Sequence, residues 1–205
     1  MNITEYKNGF VLGSCTAIAI LVIILAFNLT RTPIEKTARE QLQGNLAQLL
    51  IANSYDNNPA TDFIMINDLA LGSVDKLPVY RAKTQGKPTG AVVSTIAPDG
   101  YNGPIELLIG FNYEGKIIAV RVTNHRETPG LGDDIDEQRS DWIHAFDYLT
   151  PSSMKSIDWD VSKNGGAFDQ FTGATITPRA VIHAVHQTAQ WYQHNRDKLF
   201  VDSAK

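Results

Sequence analysis

One cysteine in 205 residues leaves no partner for an intrachain disulfide and no CxxC pair, and it cannot assemble an iron–sulfur ligand set. No GxGxxG fingerprint, GxSxG elbow, HExxH zinc site or EF-hand loop occurs, and no Gly-rich stretch ends in the Lys-Ser/Thr of a P-loop. Basic residues are sparse as well. Eighteen Lys+Arg stand against 22 Asp+Glu, a net charge of -4, without the clustered cations that nucleic-acid phosphates require. No nucleic-acid partner is expected. His183 and His186 are three apart on an expected helix but lack a surrounding ligand set, so no metal site is assigned. No pair of carboxylates has a spacing that demands acid–base work, and no catalytic residue is assigned. What remains is 43% apolar and 20% charged, enough for a folded core.

The apolar content is unevenly spread. Between Lys7 and Arg31 no charge occurs, and the twenty residues from Phe10 to Leu29 read FVLGSCTAIAILVIILAFNL. As a helix at about 1.5 Å per residue, that run covers the roughly 30 Å of a bilayer's hydrocarbon layer. A lone segment satisfies its backbone there only as a helix. A buried core helix rarely needs so long an uncharged run. A cleaved signal peptide fits less well, because the run is long and no clean small-x-small site follows. The segment reads as a retained single-pass anchor in the lipid bilayer, with Cys15 inside it. Counting Lys7 against Arg31, Lys36 and Arg39 leans slightly toward an exported amino terminus, and the small bias leaves the orientation open.

Beyond the anchor, Thr32-Pro33 suits a helix start, and Ile34, Ala38, Leu42, Leu46, Leu49 and Leu50 form one apolar stripe to about Ala52. This reads as a stalk packing on its own domain, with a lateral contact to another membrane subunit as the rival. The division is 1–31 tail and anchor, 32–58 stalk and break, and 59–205 an α+β domain. Strands are expected at 79–82 and 91–96, the latter ended by Pro98-Asp99-Gly100. Ile105 to Phe111 and Lys116 to Asn124, joined by Asn112-Tyr113-Glu114-Gly115, read as a β-hairpin. Residues 133–149 read as helical, with Trp142, Ile143, Phe146 and Leu149 buried.

Two segments bear on function. Glu127-Thr128-Pro129-Gly130 follows the second hairpin strand, where Pro129 stiffens the backbone and Gly130 and Gly132 permit a tight turn. The segment serves equally as a ligand-receiving loop or as an ordinary connection. The second is Asp169-Gln170-Phe171-Thr172-Gly173-Ala174-Thr175-Ile176-Thr177-Pro178, leading into AVIHAVHQTAQWYQ. Thr177 is placed to cap that helix with Pro178 in its first position, and Val181, Val185, Thr188 and Tyr192 share one face. Thr175 lies at the approach to a helix N-terminus, which suits a phosphate and is equally the form of a plain capped start.

The stretch DQFTGATIT resembles the flavinylation motif of membrane flavoproteins, in which a threonine takes FMN through a phosphoester. With APDGYNGPIELLIG at 97–110, HRETPGLG at 125–132 and the N-terminal anchor, nearly the whole chain resembles the G subunit of the bacterial Rnf-type ion-translocating electron transport complex, called Rsx in enteric bacteria. The resemblance implies FMN esterified to Thr175, with Asp169, Thr172, Gly173, Ala174 and Thr177 as the recognition sequence. It implies that Glu127, Thr128, Pro129 and Gly130 meet the isoalloxazine.

The resemblance further implies an electron-relay subunit of an ion-translocating oxidoreductase, without independent catalysis. The complex would couple ferredoxin/NAD electron transfer to Na⁺ or H⁺ translocation. Partners would be its other flavin and iron–sulfur subunits and, during maturation, a flavin transferase using FAD and a divalent cation. The setting would be the bacterial inner membrane, with the N-terminus cytoplasmic and the main domain periplasmic, against the charge count. Two alternatives stand beside this reading. One is the C subunit of the sodium-pumping NADH:quinone reductase, and the other is an anchored assembly or phosphate-binding module without a redox role.

Overall fold

In a computed structural model the described residues are 3–201, with side chains described from Phe10 onward apart from Thr32, Ile34 and Glu35. Ile34 of the expected stripe, and Lys7 of the charge count, therefore lie outside the described side chains. The chain forms two compact units, 1–42 and 43–205. Helix α1 covers Ile3–Leu49. Its segment from Phe10 is long and apolar enough to cross a membrane, with a mean hydropathy of 2.7 over its most apolar window and none of that window buried.

The expected helix start at Thr32-Pro33 is not there; α1 runs through Pro33. Proline's fixed φ is helical, and the interruption forfeits one backbone bond plus some crowding of the preceding turn. The last turns of α1 belong to the second unit, where Leu46, Leu49 and Leu50 are buried while Ala38, higher in the stripe, is exposed.

The second unit is α+β. Its sheet is an antiparallel meander in the order β1 (Phe63–Ile66), β2 (Leu77–Thr84), β3 (Lys87–Ala97), β4 (Ile105–Asn112) and β5 (Ile117–Asn124). Strand β1 is not among the expected strands: four residues with alternating exposure at an edge give a weak period-two signal. The hairpin of β4 and β5 is where the sequence places it. Asn112 accepts the Gly115 amide at 3.1 Å and donates to the Lys116 carbonyl at 3.0 Å.

Both faces of the sheet are covered. Val93, Ala97, Ile105, Leu107, Ile109 and Phe111 belong to a core shared with Val181, Val185 and Tyr192 of helix α2 (Ile176–Leu199). Phe111 stacks on Tyr192 at 4.4 Å, and the buried Thr188 hydroxyl donates to Thr95 at 2.9 Å. On the other face Val92 and Leu108 are buried, and the α1 terminus lies against the bare backbone of Gly110.

Residues 133–149 correct the helical expectation. They form two short 3-10 turns, Asp133–Ile135 and Trp142–Phe146. Local side chains take the backbone groups that a helix would use: the Ser140 hydroxyl donates to the Asp134 carbonyl at 2.7 Å, and Asp136 accepts the Gln138 amide at 2.9 Å. The apolar residues still point inward, with Ile143 and Phe146 fully buried and Trp142 and Leu149 packed at the core's margin.

A Cβ added at Gly110 would lie 1.8 Å from the Leu49 carbonyl oxygen. Gly110→Ala is expected to push the α1 terminus off the sheet and cost about 1–3 kcal/mol. Denaturant unfolding of the detergent-solubilised chain, followed by tryptophan fluorescence, measures this; an unchanged midpoint would show that the contact is slack.

Candidate functional site

The site is assembled where β5 exits and α2 begins. Phe171 is buried against Trp142, 5.1 Å between ring centroids, and the Trp142 indole donates to the Asp169 carbonyl at 2.8 Å. With Phe171 anchored, the chain turns back on itself. The Ala174 amide bonds the Phe171 carbonyl at 3.2 Å, and Gly173 between them has φ 81°, the left-handed region that favours glycine. Thr172 and Gly173 therefore stand in solvent, and Ala174 and Thr175 are half-buried.

Thr175 is the residue at which α2 begins. Its φ of -77° and ψ of -24° are already helical, and its side chain makes no capping bond. The expected cap, Thr177, is instead inside the helix and fully buried. Its hydroxyl is committed elsewhere: it donates to Glu127 Oε2 at 2.5 Å, across 50 residues of sequence.

Glu127 organises the opposite wall. Only 5% of it is exposed, and its other oxygen accepts the Asn102 amide at 3.0 Å. Asn102 in turn donates from Nδ2 to the Thr128 hydroxyl at 2.9 Å. The loop beyond closes on itself, because the Leu131 and Gly132 amides both bond the Thr128 carbonyl at 3.1 Å. A Cβ at Gly132 would fall 2.8 Å from both Glu127 Oε2 and Thr177 Oγ1, so that approach is open to glycine alone.

These walls enclose a cavity of about 150 Å³. Of the residues singled out from sequence, Glu127, Thr128, Gly173, Ala174, Thr175 and Thr177 line it together. Pro129 and Gly130 sit exposed on the loop beside it, Thr172 is exposed at the turn, and Asp169 contributes its carbonyl to the Trp142 bond. Tyr101, Leu131, Gly132 and Ile176 also line the cavity; sequence reasoning names Gly132 only for the loop's tight turn and does not single out the other three. A signal for them exists: all four fall within the stretches 97–110, 125–132 and 169–177 that carry the resemblance.

The cavity is small. Pockets that enclose a cofactor-sized ligand run to roughly 300–1,000 Å³, so a flavin nucleotide held here would lie partly outside. Tyr101, Leu131 and Ile176 offer it apolar surface at the rim, 66%, 45% and 51% exposed. The donor set at the Thr175 end suits a phosphate. The helix start has no side-chain cap and no acid in its first turn, leaving unpaired amides and the positive end of the dipole at the cavity. Among the described residues the Thr175 hydroxyl has no hydrogen-bond partner.

Residues 100–190 of this α+β domain, which include every residue lining the cavity, match the family described as the FMN-binding domain. Over 195 residues the chain is 42% identical to the G subunit of the ion-translocating oxidoreductase complex of Pseudoalteromonas atlantica, covering 95% of this chain and 91% of that one. The corresponding proteins of Vibrio cholerae and Pseudomonas aeruginosa are 39% and 38% identical, each over 94% of this chain and 92% and 91% of theirs. The chain belongs to the family of G subunits of ion-translocating oxidoreductase complexes. The crystal structure of Shewanella oneidensis NqrC is similar at 18% identity and a TM-score of 0.48, with 74% of each chain covered.

The Glu127–Thr177 bond can be tested directly. Thr177→Val keeps the shape and leaves a buried carboxylate oxygen without its donor, an expected loss of about 1–3 kcal/mol. Thr177→Ser should stay within about 1 kcal/mol of the natural chain, since the hydroxyl persists. Equal thermal unfolding midpoints for the two variants would show that the bond contributes nothing to stability.

Proposed function

We propose that the chain carries FMN as a phosphoester on Thr175 and relays electrons within an ion-translocating membrane complex. The observation that bears most weight is the Thr175 hydroxyl: half-exposed, without a partner among the described residues, and set at an uncapped helix start inside an FMN-binding domain. Attachment would come from a flavin transferase acting on FAD. The Thr175 Oγ1–P bond forms, the pyrophosphate P–O bond of FAD breaks, AMP departs, and the hydroxyl proton is released to solvent.

Of the neighbouring hydroxyls, Thr177 is buried and spent on Glu127, while Thr172 stands at the exposed turn. Thr175 is thus an anchor rather than a base. Bound FMN supplies the redox chemistry, accepting and passing on electrons. The protein's residues hold it in place: the α2 amides face the ester's negative charge, and Tyr101, Leu131 and Ile176 flank the opening.

Segments 1–31 and 32–58 serve as anchor and stalk, and 59–205 as the flavin domain. In this reading the amino terminus is cytoplasmic and the flavin domain periplasmic. The partners are the complex's other flavin and iron–sulfur subunits, with ferredoxin/NAD exchange coupled to Na⁺ or H⁺ movement. The chain acts as a translocase subunit and has no separate substrate reaction of its own.

Protein coexpressed with the transferase, denatured and run on a gel, should fluoresce under ultraviolet light and exceed the polypeptide mass by one FMN residue. Thr175→Val should lose both signals and stay folded, and Thr172→Val should keep both. A signal surviving in Thr175→Val, with peptide mapping to Thr172, would refute the assignment.

A further inference from the structure

Helix α2 opens with a charge of the wrong sign. Acidic side chains favour a helix N-terminus and cations disfavour it, yet the first turn here has no acid and ends on Arg179. The natural explanation is an ion pair, and one exists: Arg179 Nε donates to Asp160 Oδ1 at 3.1 Å. Asp160 does not depend on it. The Val161 amide already bonds the same oxygen at 2.7 Å, and Asn164 Nδ2 bonds the other at 3.0 Å. Burial alone would raise the Asp160 pKa; these two bonds, together with Arg179, bring it below the ordinary carboxylate value. Arg179 meanwhile is 43% exposed, and its two terminal nitrogens pair with nothing among the described residues.

Position supplies the rest. Thr175 has helical φ and ψ, so Thr175 and Arg179 are related as i and i+4, neighbours on one helix face with Cβ atoms about 6 Å apart. A helical side chain leans toward the N-terminus, so Arg179, which does not itself line the cavity, is directed toward the Thr175 end of the helix. Pro178 removes one amide from this helix start, and the Thr177 hydroxyl is committed to Glu127. The local donors left for an anion are few, and a guanidinium fork matches the oxygens of a phosphate.

We propose that Arg179 is a positioning residue for the flavin attachment: its free terminal nitrogens hold the phosphodiester on Thr175, while Asp160 braces the guanidinium through Nε. This rests on the reading of Thr175 as the FMN acceptor. The cation at the wrong end of the helix is then the counter-charge of a modification made after folding. In the unmodified chain it is tolerated at a cost that Asp160 offsets.

A double-mutant cycle on the full chain in detergent tests it. Four proteins coexpressed with the transferase are compared by denaturant unfolding: the natural chain, Arg179→Gln, Thr175→Val and the double variant, with Arg179→Lys as the charge-conserving control. Flavin loading is read independently by intact mass. Arg179→Gln is expected to shift the unfolding equilibrium about threefold more in the flavinylated chain than in the Thr175→Val background, the range of a half-exposed pair. The excess should largely vanish in 1 M NaCl, where the screening length is about 3 Å.

Arg179→Lys should retain loading and part of the excess. Loss of loading in Arg179→Gln but not in Arg179→Lys, with both folded, also supports the proposal, because attachment then needs the charge. An equal cost in both backgrounds overturns it and leaves only the Asp160 brace. Loss of loading in both Arg179 variants overturns it too. A natural chain without covalent flavin overturns the Thr175 reading itself, and this inference with it.

Discussion

A carboxylate removed from water must be paired, and the Glu127 side chain is paired with two segments that have no sequence proximity to it. One oxygen takes a backbone amide from the 99–104 turn and the other takes the Thr177 hydroxyl of helix α2. Because an unpartnered buried carboxylate is costly, this one residue fixes the β5 exit loop, the turn before β4 and the helix start against each other. The cavity is the space left between them. Gly132 is part of the same constraint, since any side chain there would wedge apart the two groups that bond.

The rest of the domain holds α2 where that bond can form. The helix is fastened to the sheet by apolar burial, by the Phe111–Tyr192 stack and by the Thr188–Thr95 bond in its middle, so its N-terminus is set by contacts two to four turns away. The opposite sheet face is closed by the end of α1 lying on Gly110. The stretch that follows the apolar segment thus covers the sheet face turned away from α2.

Elements with strong local signals are legible in the sequence. The uncharged run from Phe10, the β4–β5 hairpin and the buried face of α2 all follow from periodicity and turn chemistry. Three things are not. Strand β1 is too short and too exposed to produce a pattern. The 133–149 segment has helical apolar spacing, but Asp136 and Ser140 divert its backbone bonds. Thr177 has every attribute of a cap, and only the buried Glu127, fifty residues earlier, explains why its hydroxyl is used elsewhere. Motif likeness brings out six of the cavity-lining residues, while Tyr101, Leu131, Gly132 and Ile176 require the fold to be placed there.

The size of the cavity connects the site to the kind of work an FMN-binding domain performs in an oxidoreductase complex. A pocket large enough to swallow a flavin would hold it without a covalent bond, and would also place protein between the ring and any partner. At about 150 Å³ this one grips little. Noncovalent retention would depend on a few rim contacts and on the helix dipole, which is worth only about 0.3–1 kcal/mol at an exposed terminus. The proposed tether would remove the need for affinity and leave the ring near the surface, open to redox partners. A small cavity and the anchor proposed at Thr175 are then two halves of one solution: the weaker the grip, the more such a linkage would carry.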